Sequence, residues 1–207
     1  MQIILYVTTY IIGILLGSFF TLATYRLPLK QDITHTRSYC PECNHKLNFW
    51  DLIPVLSYIF LGGKCRYCNK KISPRYIIIE LTSGLIYLLF AISLKIDIYS
   101  LNLITIGLII VGTIFICTLF ILGGISKENH KIPKNLIITN IVSLIIYITY
   151  LYIFCLNVHR YIIYISIAMS LTVTLIYKFI LKKQMHTVAI QTFSLIIFWI
   201  ILNFIMI

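Results

Sequence analysis

A chain of 207 residues that is 60% apolar and only 11% charged, with a mean hydropathy of +0.97, is excluded from the ordinary soluble globular class. Its net charge of +11 does not argue for a nucleic-acid partner, because Lys and Arg gather in the loops between apolar stretches, where membrane topology and anionic lipid headgroups account for them. The fold class expected is an all-α polytopic membrane protein with about six transmembrane helices and a cysteine-rich, zinc-binding cytosolic loop; membrane lipid is a partner and nucleic acid is not.

The first predicted span covers residues 3–25 and occupies a first segment, 1–25. No Lys or Arg precedes Arg26 and no small-residue cleavage site follows, so the stretch reads as a retained helix, not a signal peptide. The loop 26–75 then carries nine basic residues against three acidic ones, Asp32, Glu42 and Asp51, which places it in the cytosol.

Two C-x-x-C pairs in this loop, Cys40/Cys43 and Cys65/Cys68, are its strongest chemical signal. Each C-x-x-C turn presents two thiolates at one corner of a tetrahedron, so two turns complete a closed structural zinc site; residues 44–64 are long enough to fold the turns onto each other. Disulfides are the rival reading, and they require an oxidising compartment that a cytosolic loop lacks.

Further spans are predicted at 76–94, 101–124, 135–156, 161–181 and 188–207, the segment 76–207 forming a helical bundle. Lys127, Lys131 and Lys134 mark one inner loop and Lys178, Lys182 and Lys183 another, while only Lys95 and Arg160 fall outside. Both chain ends then lie outside. Cys117 and Cys155 sit inside spans and read as buried apolar residues.

Gly17-Ser18-Phe19, Tyr25-Arg26-Leu27-Pro28, Cys40-Pro41-Glu42-Cys43, Asp51-Leu52-Ile53-Pro54-Val55-Leu56-Ser57-Tyr58, Gly63-Lys64-Cys65-Arg66-Tyr67-Cys68, Ile72-Ser73, Arg75-Tyr76 and Glu80-Leu81 together resemble the amino-terminal half of the bifunctional prepilin leader peptidase/N-methyltransferases, the A24-type prepilin peptidases. The resemblance is dense from residue 17 to 84, with Thr21 where the family usually has Asn and Ile77 where it usually has Pro. It implies a multi-pass protein of the bacterial cytoplasmic membrane. Its substrates would be prepilins or pseudopilins of type IV pili, competence or type II secretion, which the family cleaves and then methylates at the new amino terminus with S-adenosylmethionine.

The carboxyl-terminal half departs from the family. Its members use two aspartates, one before an Ile-Pro-Asn type turn and one in a Gly-x-Gly-Asp motif; such a pair works because two close carboxylates share one proton. Here Ile132-Pro133-Lys134-Asn135-Leu136-Ile137 resembles the turn, but Ser126 stands at the first aspartate position. No Asp follows Asp97 and no Gly follows Gly124, so the second motif is missing. Glu128 is the only carboxylate beyond residue 97, and His186, in the segment where the second motif belongs, reads as an interfacial residue.

Glu80 and Glu128 are therefore the catalytic candidates. Glu80, about a turn into a span, is either a partner for Arg26 or a substrate amine, or an interfacial residue paired with Arg75. Asp51 reads as a helix cap or turn residue. Three functions follow: N-methylation of the pilin amino terminus without peptidase activity, a non-catalytic pilin-binding scaffold, or a leader peptidase rebuilt around Glu128. The first implies S-adenosylmethionine as cofactor, and a second, active prepilin peptidase as partner.

Overall fold

The computed structural model describes residues 2–94, 102–127 and 132–154. The predicted spans 161–181 and 188–207 lie outside them, as do Glu128, Cys155 and His186. Within the described residues the chain is helical: α1 (Gln2–Arg26), α2 (Leu56–Phe60), α3 (Arg75–Ser93), α4 (Leu103–Lys127) and α5 (Lys134–Phe154), with a 3-10 turn at Phe49–Asp51. Three stretches, Gln2–Arg26, Arg75–Ser93 and Thr105–Ile125, are long and apolar enough to cross a membrane. The apolar part of α5, Lys134–Tyr147, is shorter. The structure therefore carries three of the expected spans as such.

Helix α1 holds a hydroxyl-rich apolar sequence without exposing those hydroxyls to lipid unsatisfied. Thr21 donates to the Ser18 carbonyl at 2.7 Å and Thr24 to the Phe20 carbonyl at 2.7 Å, so each polar group is closed within its own helix. Small residues then decide its partner. Gly13 and Gly17, four apart, lie against α3 so closely that a Cβ on Gly13 would stand 2.8 Å from the Gly84 Cα, and one on Gly17 2.8 Å from the Glu80 Cα. Such a small-residue stripe lets two backbones approach where no hydrophobic effect drives helices together. Across the seam the Ser83 hydroxyl donates to the Gly13 carbonyl at 2.7 Å.

Helix α4 closes the bundle over this pair. Phe20 stacks on Phe120 with centroids 5.2 Å apart, in a cluster that includes Ile86, Phe90, Phe115 and Ile116. Gly112 makes room for the Phe90 ring, and Gly124 for the Thr24 side chain. Helix α5 packs on α4, where the Asn140 side-chain amide donates to the Thr118 hydroxyl at 2.8 Å. The effect on the loop is direct: its two stems, the end of α1 and the start of α3, are held side by side by the glycine seam.

Candidate metal centre

The cysteine loop is two copies of one turn, offset by 25 residues. In the first, the Cys40 amide donates to the His45 carbonyl, the Asn44 amide to the Cys40 carbonyl and the Leu47 amide to the Ser38 carbonyl. In the second, Cys65 donates to Lys70, Asn69 to Cys65 and Ile72 to Gly63. Bridges Tyr39–Lys46 and Lys64–Lys71 close the two turns. Each needs one left-handed residue after its second cysteine, and asparagine supplies it both times, at φ 55° for Asn44 and 58° for Asn69.

The turns face each other and bring the four predicted ligands together. The sulfurs of Cys40, Cys43, Cys65 and Cys68 all lie within 4.8 Å of one another, with Cys40 Sγ 3.9 Å from Cys68 Sγ. A tetrahedron of thiolates around one ion at about 2.3 Å has edges of about 3.8 Å, so the cluster has the dimensions of a four-thiolate metal site. These cysteines are free, and 3.9 Å is far beyond a sulfur–sulfur bond, so the rival disulfide reading finds no support here. Burial opposes ionisation of Cys65, but the Cys68 and Tyr67 amides and the neighbouring thiols outweigh it and lower the thiol to about 7. The Lys70 amide favours the Cys68 thiolate, yet desolvation and hydrogen bonds with the other three thiols push it up to about 11. A cation held between them would allow all four to ionise together.

Side chains around the cluster bolt the two turns together. The His45 and Tyr67 rings lie 3.6 Å apart between centroids. Asp51, from the 3-10 turn, accepts from Arg66 Nε at 2.6 Å, from the Tyr67 hydroxyl at 3.2 Å and from the Asn48 amide at 3.2 Å. Its side chain is 3% exposed. Burial works against its charge, but these bonds prevail and hold the carboxyl below the usual aspartate range. Asp51 is thus a turn residue, as expected, and also the brace that ties residues 49–51 to the second cysteine turn.

Arg26 fastens the loop to the membrane helix. It is 2% exposed, and its guanidinium donates to the carbonyls of Asp32 at 2.9 Å, Thr36 at 3.0 Å and Arg37 at 3.2 Å, and to the Thr36 hydroxyl at 2.7 Å. It also lies over the Tyr39 ring, one residue before Cys40. The suggested Arg26–Glu80 partnership does not form, because Arg26 spends its donors on this carbonyl cage.

Glu80 is buried between α1 and α3, and among the described residues it enters no ion pair. The expected pairing with Arg75 gives way to a backbone contact. Glu80 Oε2 accepts the Val55 amide at 2.7 Å. Val55 itself has φ 63° and ψ −54°, and the Leu56 amide donates to the Pro54 carbonyl at 2.6 Å. This is a γ-turn of the rare, strained sense, which costs about 1–3 kcal/mol for a β-branched residue and persists only when its surroundings enforce it. The Glu80 carboxylate is that enforcement. Neither the γ-turn nor the glycine seam was read from the sequence, although Gly13-x-x-x-Gly17 was the signal available for the seam.

Among the described residues, two cavities border the loop. One of about 500 Å³ is lined by His35, Thr36, Arg37, Tyr39, Asn44 and Lys46, and a smaller one of about 90 Å³ lies beside Arg26, Tyr39 and Tyr76. The larger presents cationic side chains and no carboxylate, which does not suit the positively charged sulfonium of S-adenosylmethionine.

Residues 11–94 match the bacterial peptidase A24 N-terminal domain. Over 80 residues the chain is 45% identical to a Vibrio cholerae prepilin leader peptidase/N-methyltransferase, a match covering 35% of this chain and 32% of that protein. Proteins of the same description from Myxococcus xanthus and Bacillus subtilis are 41% identical over 78 residues and 40% over 91, covering 38% and 42% of this chain and 23% and 37% of theirs. The matched region thus spans about a third of the Vibrio and Bacillus relatives and less of the Myxococcus one. No solved structure matches the chain.

Proposed function

Because this chain belongs to the prepilin leader peptidase/N-methyltransferase family through the A24 N-terminal domain at residues 11–94, we propose that it acts in the maturation of prepilins or pseudopilins at the bacterial cytoplasmic membrane, as an N-methyltransferase without leader-peptidase activity. The observation that carries this reading is the asymmetry of the chain. Its matched amino-terminal part keeps the whole four-cysteine loop, whereas the sequence beyond residue 97 holds no aspartate and one carboxylate, Glu128.

In this reading Cys40, Cys43, Cys65 and Cys68 hold a structural zinc ion on the cytosolic side, which fixes the two turns against each other. Zinc fits better than a harder cation because all four donors are sulfur. Glu80 receives the free α-amine of the processed pilin. It is a buried carboxylate next to the loop, its Oε2 oriented by Val55, and among the described residues no cation neutralises it. A carboxylate there orients the amine for attack, which is positioning chemistry and needs no second aspartate. The methyl donor would be S-adenosylmethionine; the cavity beside Arg37 and Lys46 does not fit it, and no step is assigned through it.

The test uses purified protein in lipid nanodiscs, S-adenosylmethionine labelled in its methyl group, and a pilin whose leader has already been removed. Label transferred to the pilin amino terminus, and lost in Glu80→Gln, is the expected result. Binding of that pilin without transfer would instead favour the scaffold reading.

A further inference from the structure

The segment from Phe49 to Phe60 turns its apolar side chains outward. Phe49 and Trp50 are 73% and 70% exposed, and on α2 the stripe Leu56, Ile59 and Phe60 is 50%, 60% and 82% exposed. The opposite side is occupied with internal business. Asp51 faces Arg66 and Tyr67, and Tyr58 packs beneath Gly63 and donates to the Ile72 carbonyl. The segment is therefore amphipathic, with its polar side on the metal-site loop and its apolar side uncovered.

Its depth is set by the Val55–Glu80 bond. Glu80 lies five residues into α3, about 7.5 Å along the axis from Arg75, and glutamate side chains on a helix lean back toward its amino terminus. Helix α3 has 19 residues and is about 28 Å long, close to the roughly 30 Å of bilayer hydrocarbon, so Arg75 marks one boundary. A backbone amide 2.7 Å from the Glu80 carboxylate must then sit at that boundary, within about a helical turn of it, and cannot stand off in the cytosol. The same level of α3 presents exposed Ile78 and Leu81 to lipid.

We propose that Phe49–Phe60 is an interfacial element inserted into the cytosolic leaflet, with Phe49, Trp50, Leu56, Ile59 and Phe60 among the acyl-chain ends of the headgroups. The occupant of the apolar face is the lipid surface. Aromatic residues favour that level, and the nine Lys and Arg of residues 26–75 against three carboxylates complement anionic headgroups. The Glu80 carboxylate works as a pin: it holds the strained turn at Val55 and so keeps the element in the plane of the membrane. The metal-site loop is then seated on the bilayer through three points, α1, α3 and this element.

The chain has two tryptophans, Trp50 and Trp199, so Trp199→Phe leaves Trp50 as the only indole. The full-length variant is reconstituted in vesicles of phosphatidylcholine and phosphatidylglycerol, with or without lipids brominated near the headgroup end of the chains. Trp50 emission should be blue-shifted from that of aqueous indole, more than halved by the brominated lipid, and protected from acrylamide. A second variant, Trp50→Phe/Trp199→Phe/Phe60→Trp, should behave alike and guards against a local effect at residue 50. Aqueous emission that acrylamide quenches freely and brominated lipid leaves unchanged, at either site, overturns the proposal. So does acrylamide protection that appears only at high protein-to-lipid ratio, which would mark a second copy as the occupant.

Discussion

Arg26 offers a quantitative test of how the membrane helix and the metal loop are joined. Arg26→Ala removes four hydrogen bonds, three to the carbonyls of Asp32, Thr36 and Arg37 and one to the Thr36 hydroxyl. The acceptors belong to exposed residues, so water re-solvates them once the loop opens, and the net value of each bond belongs at the lower end, about 0.5–1 kcal/mol. Together they give about 3 kcal/mol, and at about 1.4 kcal/mol per decade the opening of residues 32–40 should become about a hundredfold more frequent. Hydrogen exchange followed by mass spectrometry, on the full-length protein in nanodiscs, reads this directly. Arg26→Lys should fall between, about tenfold, because one ammonium cannot span carbonyls on both sides of the cage. Exchange of residues 32–40 that is unchanged in Arg26→Ala would refute the cage as the source of the loop's order.

Other consequences are as specific. Gly17→Leu places a Cβ 2.8 Å from the Glu80 Cα and 2.9 Å from the Ser83 Cβ, so α1 and α3 must part; a loss of about 1–3 kcal/mol is expected, seen as a lower midpoint of thermal unfolding in detergent. Cys65→Ser should release the metal, so elemental analysis of reduced protein should fall from about one zinc per chain toward none; no zinc in the gently purified parent would remove the ion from the account. Asp32 accepts from the Thr34 amide, which together with the Thr34 hydroxyl and the His35 amide and charge outweighs desolvation and lowers its carboxyl to about 2. Since the folded value lies below the unfolded one, the turn it stabilises is fully supported above about pH 4 and loses that support as pH falls through about 2. A carboxyl-carbon NMR titration with its midpoint near the ordinary aspartate value would contradict this.

The cysteine cluster was legible because its information is local and chemical. Two C-x-x-C pairs imply a convergence of four thiols whatever the rest of the fold does, and the structure brings those four together. The starts and ends of the first three predicted spans agree within a few residues with α1, α3 and α4, since long apolar runs flanked by Arg26, Arg75 and Lys127 leave little freedom. What the sequence concealed was pairing. Arg26 and Glu80 look complementary when read as charges near one interface, yet six to eleven residues of loop beyond Arg26 supply carbonyls that claim its guanidinium first. Glu80 binds a backbone amide 25 residues before it, in a turn at Val55 that no propensity would place on a β-branched residue. Such contacts depend on how close α1 and α3 approach, which is decided by Gly13 and Gly17 and not by the residues that benefit.

We propose that this protein modifies the pilin amino terminus but does not create it. The measurement that bears on it most directly is mass spectrometry of the amino terminus of an intact prepilin after incubation with the reconstituted protein alone, and in parallel with an active leader peptidase added. The leader should remain uncut in the first case, and a methylated mature terminus should appear in the second. Leader removal by this protein alone, abolished in Glu128→Gln, would contradict the account and make it a peptidase rebuilt around that carboxylate.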